Sequence, residues 1–316
     1  MKNNIDERIF KEGIKEENLD KLKKVDKGDL HNHGLLGMKY DNFNDWARGN
    51  VKKAPEKLNG IKGLISYVEN EVATHIKKKE DLEDLIELTI KDAINDGVKI
   101  LETNIDYDDL MLFTNKNELF SKFTKIKEKY TDKIDFRPEI GIIKDISEKD
   151  LNTFVVPVIE SGVFTGIDLY GDESVNNYDR FRDYFNHAKK YDLKLKAHAG
   201  EFSNHKNVKK VIEILNVDEI QHGIGAYNDD YTLDLIKERN IRLNMCPISN
   251  YKLGAFKDMK KYPIKKIFDK GITITVNTDD LLLFDSSASE QYLFLYKLGI
   301  FTIDELNEIR KNSLIV

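Results

Sequence analysis

The chain has 316 residues and a formal net charge of −6, its 50 Lys and Arg interleaved with 56 Asp and Glu, as in 77-KKKEDLED-84. That interleaving argues against a nucleic-acid partner, and Cys246, the only cysteine, excludes an intramolecular disulfide and a thiolate zinc cluster. MKNNIDERIF lacks the apolar core of a signal peptide and no run of about 18 apolar residues occurs, so a soluble cytoplasmic protein with no membrane contact is expected.

No linker, repeat or low-complexity tract marks a boundary, and the length suits one domain spanning 1–316. Residues 1–26 read as a highly charged helix with apolar positions at Ile9, Phe10, Ile14, Leu19, Leu22 and Val25, an N-terminal extension packed on the rest. The first strand follows as 28-GDLHNH-33. The longest connection, 34–80, is expected to form a lid of short helices over the mouth of the fold. An amphipathic helix over 81–97 leads into a second strand, 98-VKILETNI-105. Further strands are predicted at 134–143, 163–171, 193–201, 218–223, 241–246 and 272–280, with helical patterns such as 230-DYTLDLIKERN-240 between them. Eight alternating β/α units predict an α/β fold, a closed (β/α)8 TIM barrel rather than an open doubly wound sheet.

Barrel enzymes carry their chemistry where strands end, and the unusual residues of this chain fall there. His31 and His33 end strand one; side chains two apart on a strand share a face and aim at one point. His198 and Glu201 end strand five, His222 strand six, and Asp279 and Asp280 strand eight. His75, His187 and His205 fall in helical or loop contexts and read as surface or packing residues. Three neutral imidazoles from His31, His33 and His198 with one carboxylate from Asp279 make a sound zinc set with a position left for water. Strand four ends 166-GIDLYGDE-173 with no lysine to bridge two metals, so one ion per chain is the simpler expectation. His222 is then free either to orient or to deprotonate the water, the alternatives being a further ligand or a satisfied polar histidine. Glu201 is a general acid if burial holds it protonated. Asp280 contacts substrate or water, or supports the site from behind.

The pieces 29-DLHNHG-34, 166-GIDLYGDE-173, 197-AHAGE-201, 221-QHG-223, 246-CPISN-250 and 277-NTDD-280, in this order, resemble the adenosine deaminase family of metal-dependent amidohydrolases. The resemblance implies zinc on His31, His33, His198 and Asp279, Glu201 protonating purine N1, and His222 managing the water. It further implies Asp280 accepting a hydrogen bond at N7, the backbone of Gly171 near N3, and attack at C6 that expels ammonia from a purine nucleoside-like substrate. Three places depart from the family. Leu35 stands where an acid meets the ribose or the base, so adenosine is expected to be a poor substrate and a purine with a less polar 5′ group preferred. Strand two carries 102-ETN-104 where an arginine often follows the glutamate, and the chain stops at 312-NSLIV-316, short of a usual further helix. Opening of a cyclic amide, or a catalytically inactive nucleoside-binding barrel, are the alternative functions.

Overall fold

A computed structural model describes residues 2–315. Its centre is one sheet of eight strands in sequential order, each parallel to the next. The strands are β1 (Lys27–His33), β2 (Val98–Asp106), β3 (Asp135–Ile143), β4 (Gly166–Tyr170), β5 (Lys194–Ala199), β6 (Glu219–His222), β7 (Arg242–Met245) and β8 (Ile274–Val276). The ring closes beyond β8, where Asp279 N–H donates to His31 O at 3.0 Å and His33 N–H to Asp279 O at 3.4 Å. With helices in the crossovers this is the expected (β/α)8 barrel. Every residue of β6, β7 and β8 is buried, as strands covered on both faces must be.

The eighth strand is much shorter than the 272–280 expected, and Asp279 and Asp280 lie in the turn after it. Polar side chains divert the backbone from the ladder there. Leu30 N–H donates to Asn277 Oδ1 at 2.8 Å, and Thr278 N–H donates to the buried Asp29 carboxylate at 3.1 Å. Strand five likewise ends at Ala199, two residues before Glu201.

The N-terminal segment is two helices rather than one, α1 (Lys2–Lys15) and α2 (Leu19–Leu22). Glu17 takes a left-handed φ of 53° between them, and Asn18 caps α2 by accepting from Lys21 N–H at 3.1 Å. Phe10, Ile14, Leu22 and Val25 are fully buried against the barrel, as their spacing implies. The 34–80 connection holds α3 (Tyr40–Trp46) and α4 (Gly60–Tyr67), followed by a π turn over Val68–Val72. The expected 81–97 helix is α5 (Lys79–Asn95), which buries Leu82, Leu85, Ile86 and Ile90 on one face. It stops at Gly97, whose φ of 79° and close approach to Lys23 O leave no room for a Cβ. No helix among the described residues is long and apolar enough to cross a membrane.

Below the strand ends the barrel is filled by charge. Lys196 on β5 is fully buried, with Glu139 at 2.8 Å, Glu219 at 3.5 Å and Glu102 closer still. Arg137 meets Glu102 at 3.1 Å and Arg242 meets Glu219 at 2.5 Å, so three cations face three carboxylates. Burial disfavours the Lys196 ammonium, but the surrounding glutamates outweigh it and hold the amine charged.

Candidate active site

At the C-terminal ends of the strands four imidazoles converge. Ring centroids lie 5.2 Å apart for His31 and His33, 4.7 Å for His31 and His198, and 5.2 Å for His198 and His222. Asp279 Oδ1 stands 3.2 Å from His31 Nε2 and 3.5 Å from His33 Nε2. Burial opposes its ionisation, but His31 and the other imidazoles win and hold the carboxyl far below its usual range. Burial also pushes His31 down to about 4, which keeps its ring neutral. Both nitrogens of that ring, 1% exposed, lack a hydrogen-bond partner. Asp279 and His222 adopt left-handed φ values of 60° and 62°, strain on the order of 1–3 kcal/mol each that concentrates at this centre.

Neighbouring residues hold these groups from behind. His198 Nδ1 lies 3.2 Å from Asp168 Oδ1, and Asn104 donates to the other oxygen of that aspartate at 3.0 Å. Glu173 accepts from three successive backbone N–H groups, Gly200 at 2.6 Å, Glu201 at 2.8 Å and Phe202 at 2.9 Å, which fixes the loop that carries Glu201. Gly200 turns that loop with φ 78°, and a Cβ there would meet Val208 at 2.6 Å. Glu201 Oε2 stands 3.6 Å from His222 Nε2. Burial, reinforced by Asp279, Glu173 and Asp280, pushes the Glu201 carboxyl well above the usual range. Burial and then Asp279 do the same to Asp280, whose Oδ1 is buried without a partner.

The expected site residues are thus brought together, with one exception. His31, His198 and His222 offer nitrogens within 4.8 Å of one another, as do atoms of His33, Asp279 and Asp280. A cavity of about 600 Å³ is lined by His33, Gly171, His198, Glu201, His222, Asp279 and Asp280, with His31 buried behind them. Leu35 is the exception: it lines a smaller adjoining cavity of about 240 Å³ with Val72, Ala73 and Ile76, and Leu36 takes the wall of the main one. The lid presents Ile61, Leu64, Ile65 and Val68 to the main cavity, the i, i+3, i+4, i+7 face of α4 and its continuation. A cavity of about 680 Å³ at the opposite end of the barrel holds Lys194, Arg239 and Arg242 and none of the clustered groups. His75, His187 and His205 are half-buried elsewhere, His187 paired with Glu160 at 2.9 Å.

Sequence reasoning missed Asp168, Asn250, Tyr262, Asp106 and Cys246. The Cys246 sulfur lies within 4.8 Å of ligand atoms on His31 and Asp279. Burial and then the nearby carboxylates push its thiol well up.

Comparison with known proteins fits this geometry. The adenosine deaminase family model matches residues 137–315. A protein of Treponema pallidum described as an adenosine/adenine deaminase is 35% identical over 277 residues, 87% of this chain and 93% of its own length. The chain belongs to the adenosine deaminase family. Like the family, it is a hydrolytic deaminase. Among solved structures, an adenine deaminase from Arthrobacter aurescens superposes with a TM-score of 0.78 at 21% identity, covering 91% of this chain and 92% of that one. An amidohydrolase from Burkholderia ambifaria with bound Zn gives 0.76 at 19% identity, covering 93% of this chain and 85% of the other.

Proposed function

We propose that this deaminase hydrolyses the exocyclic amine of an adenosine-like 6-aminopurine nucleoside or a related amino-heterocycle, with one zinc ion held by His31, His33, His198 and Asp279. The donor set fits the ion. An ion on His31 would occupy one of its two buried ring nitrogens that lack a hydrogen bond, relieving a cost of about 1–3 kcal/mol. Borderline-soft zinc accepts three imidazoles and a carboxylate, and the Zn-bearing structural neighbour supports the same choice. When bound, such an ion lowers the pKa of water towards neutrality, so that attack needs no strong base.

The observation that carries the reading is Glu201. A buried carboxyl pushed well above its usual range, 3.6 Å from His222 and facing the cavity, suits the acid needed to protonate a ring nitrogen such as N1. Protonation makes C6 electrophilic; the water oxygen bonds to C6, one water proton returns Glu201 to its acid form and the other joins the amine, and the C6–N bond breaks to release ammonia and leave a 6-oxo product. His222, beside Glu201, holds the attacking water, and Gly171 at the cavity wall approaches N3. The purine N7 carries a lone pair and can only accept. Asp280 must therefore donate there rather than accept, and the raised carboxyl of Asp280 suits a donor.

The walls bear on the rest of the substrate. Glu69, Asp106, Asp108, Asp145 and Asp172 line the cavity with one lysine, Lys144, among the described residues, which favours a neutral nucleoside over a phosphate. Leu36, Ile61, Leu64 and Ile65 leave one side of the main cavity apolar and favour a less polar 5′ group, while Asp106 lines both chambers and offers an acceptor for a ribose hydroxyl. The test is incubation of zinc-loaded protein with aminopurine nucleosides in ¹⁸O-water. One ¹⁸O at the former amine position supports the assignment; unchanged nucleosides throughout contradict it.

A further inference from the structure

Four histidines crowd one centre, and the family resemblance does not say what keeps one of them off the metal. We propose that Asn250 is a positioning residue that makes this distinction, by fixing the ring proton of His222 on Nε2 and the acid proton of Glu201 on Oε2. The proposal rests on the deaminase reading given above.

Asn250 is fully buried on the short helix Pro247–Lys252. Its backbone is held at both ends, N–H donating to Cys246 O at 3.0 Å and C=O accepting from Phe256 N–H at 3.0 Å. Tyr262 O–H donates to Asn250 Oδ1 at 2.6 Å. With its oxygen so engaged, the amide nitrogen turns to the site, 3.2 Å from His222 Nδ1 and 3.3 Å from Glu201 Oε1. An amide nitrogen carries two hydrogens and can only donate. One hydrogen goes to each partner, so His222 Nδ1 must be an acceptor and Glu201 Oε1 must be the unprotonated oxygen.

His198 has the opposite neighbour. Its Nδ1 faces Asp168 Oδ1 at 3.2 Å, and the other oxygen of that carboxylate accepts from the amides of Asn104 at 3.0 Å and Gln221 at 3.4 Å. That partner calls the proton to Nδ1 and leaves Nε2 a lone pair for a metal. The neutral ring of His222, by contrast, presents N–H at Nε2. It cannot ligate through that atom and cannot take a proton there; it holds the attacking oxygen by donating to it. Glu201, with Oε1 occupied, presents its O–H from Oε2, the oxygen nearer His222.

The test is long-range ¹H–¹⁵N correlation of the zinc-loaded protein carrying ¹⁵N-histidine, with His222→Gln to assign the signals. The expected result is the Nε2–H pattern for His222, the Nδ1–H pattern for His198, and one zinc per chain. Asn250→Asp, which offers His222 an acceptor, should reverse the His222 tautomer. The same variant should lower kcat by about 10- to 100-fold with KM changed less than about threefold, matching the loss of one or two hydrogen bonds to charged or reacting groups. Tyr262→Phe, which releases the amide, should broaden or shift the His222 signals alone. An Nδ1–H pattern for His222 in the wild-type protein, or an unchanged tautomer in Asn250→Asp with zinc retained, overturns the proposal. Failure of the deaminase reading is distinguishable, because it shows as absent ammonia release in a protein whose His222 still carries Nε2–H.

Discussion

Glu201 is useful because of its surroundings. In the proposed reaction its working form is the protonated one, present below its folded pKa and lost as pH rises through it, and the raised carboxyl extends that form upward in pH. A pH–rate profile of kcat should therefore fall on the alkaline side, and Glu201→Gln, which cannot give up a proton, should lower kcat by about 10²- to 10⁴-fold and remove that limb. Retention of the limb in the variant would assign it to another group. Asp106 lies at about 6, raised chiefly by burial, so at pH 7 and above it is mostly a carboxylate that can accept from a hydroxyl. Asp106→Asn should cut kcat/KM for nucleosides by about 10- to 100-fold, the worth of a hydrogen bond to a charged group, and leave free aminopurines less affected; comparison of the two substrate classes checks this. The clustered histidines, Asp279 and Glu201 were legible because their residue types are scarce and their order matched a known pattern. Asn250 and Asp168 were not, because an asparagine or an aspartate acquires its role only from what folding sets opposite its side chain.

Strand and helix identity came through in the alternation of patterns, and the apolar face of α5 was readable from spacing alone. The ends of elements were harder. Asn277, Thr278 and Asp29 end β8 early by side-chain hydrogen bonds across the chain, a contact that local periodicity does not record. Lys196 was equally hidden, since a lysine inside a strand reads as a solvated face. It is fully buried among Glu102, Glu139 and Glu219. Lys196→Met would leave these carboxylates without their shared cation and should destabilise the protein by about 3–5 kcal/mol. Chemical denaturation would detect the loss, and an unchanged midpoint would show that the network is energetically neutral.

The whole molecule divides its labour along the barrel axis. The lower interior is an ion-paired plug, and the upper rim gathers the histidines, the raised carboxyls of Glu201, Asp280 and Asp106, and an apolar lid over one cavity. Only the closed ring makes this possible, because His31 and Asp279, nearly 250 residues apart in sequence, become neighbours through the β1–β8 seam. The eightfold alternation announced that ring, whereas the displacement of Leu35 into a side chamber depended on how the lid packs. Ligation by groups from three parts of the chain should also couple metal to stability. Removal of zinc by a chelator should lower Tm by at least about 3 °C, since a ligand at 100 times its Kd contributes about 2.7 kcal/mol. Calorimetry before and after reloading checks that.

The most direct measurement is ammonia release by the zinc-loaded protein across adenine, adenosine and 5′-modified adenosines, with Glu201→Gln in parallel. The account predicts release that is greatest for a nucleoside with an apolar 5′ group and reduced at least about 100-fold in the variant. Equal release by Glu201→Gln, or none from any aminopurine with zinc bound, would contradict it.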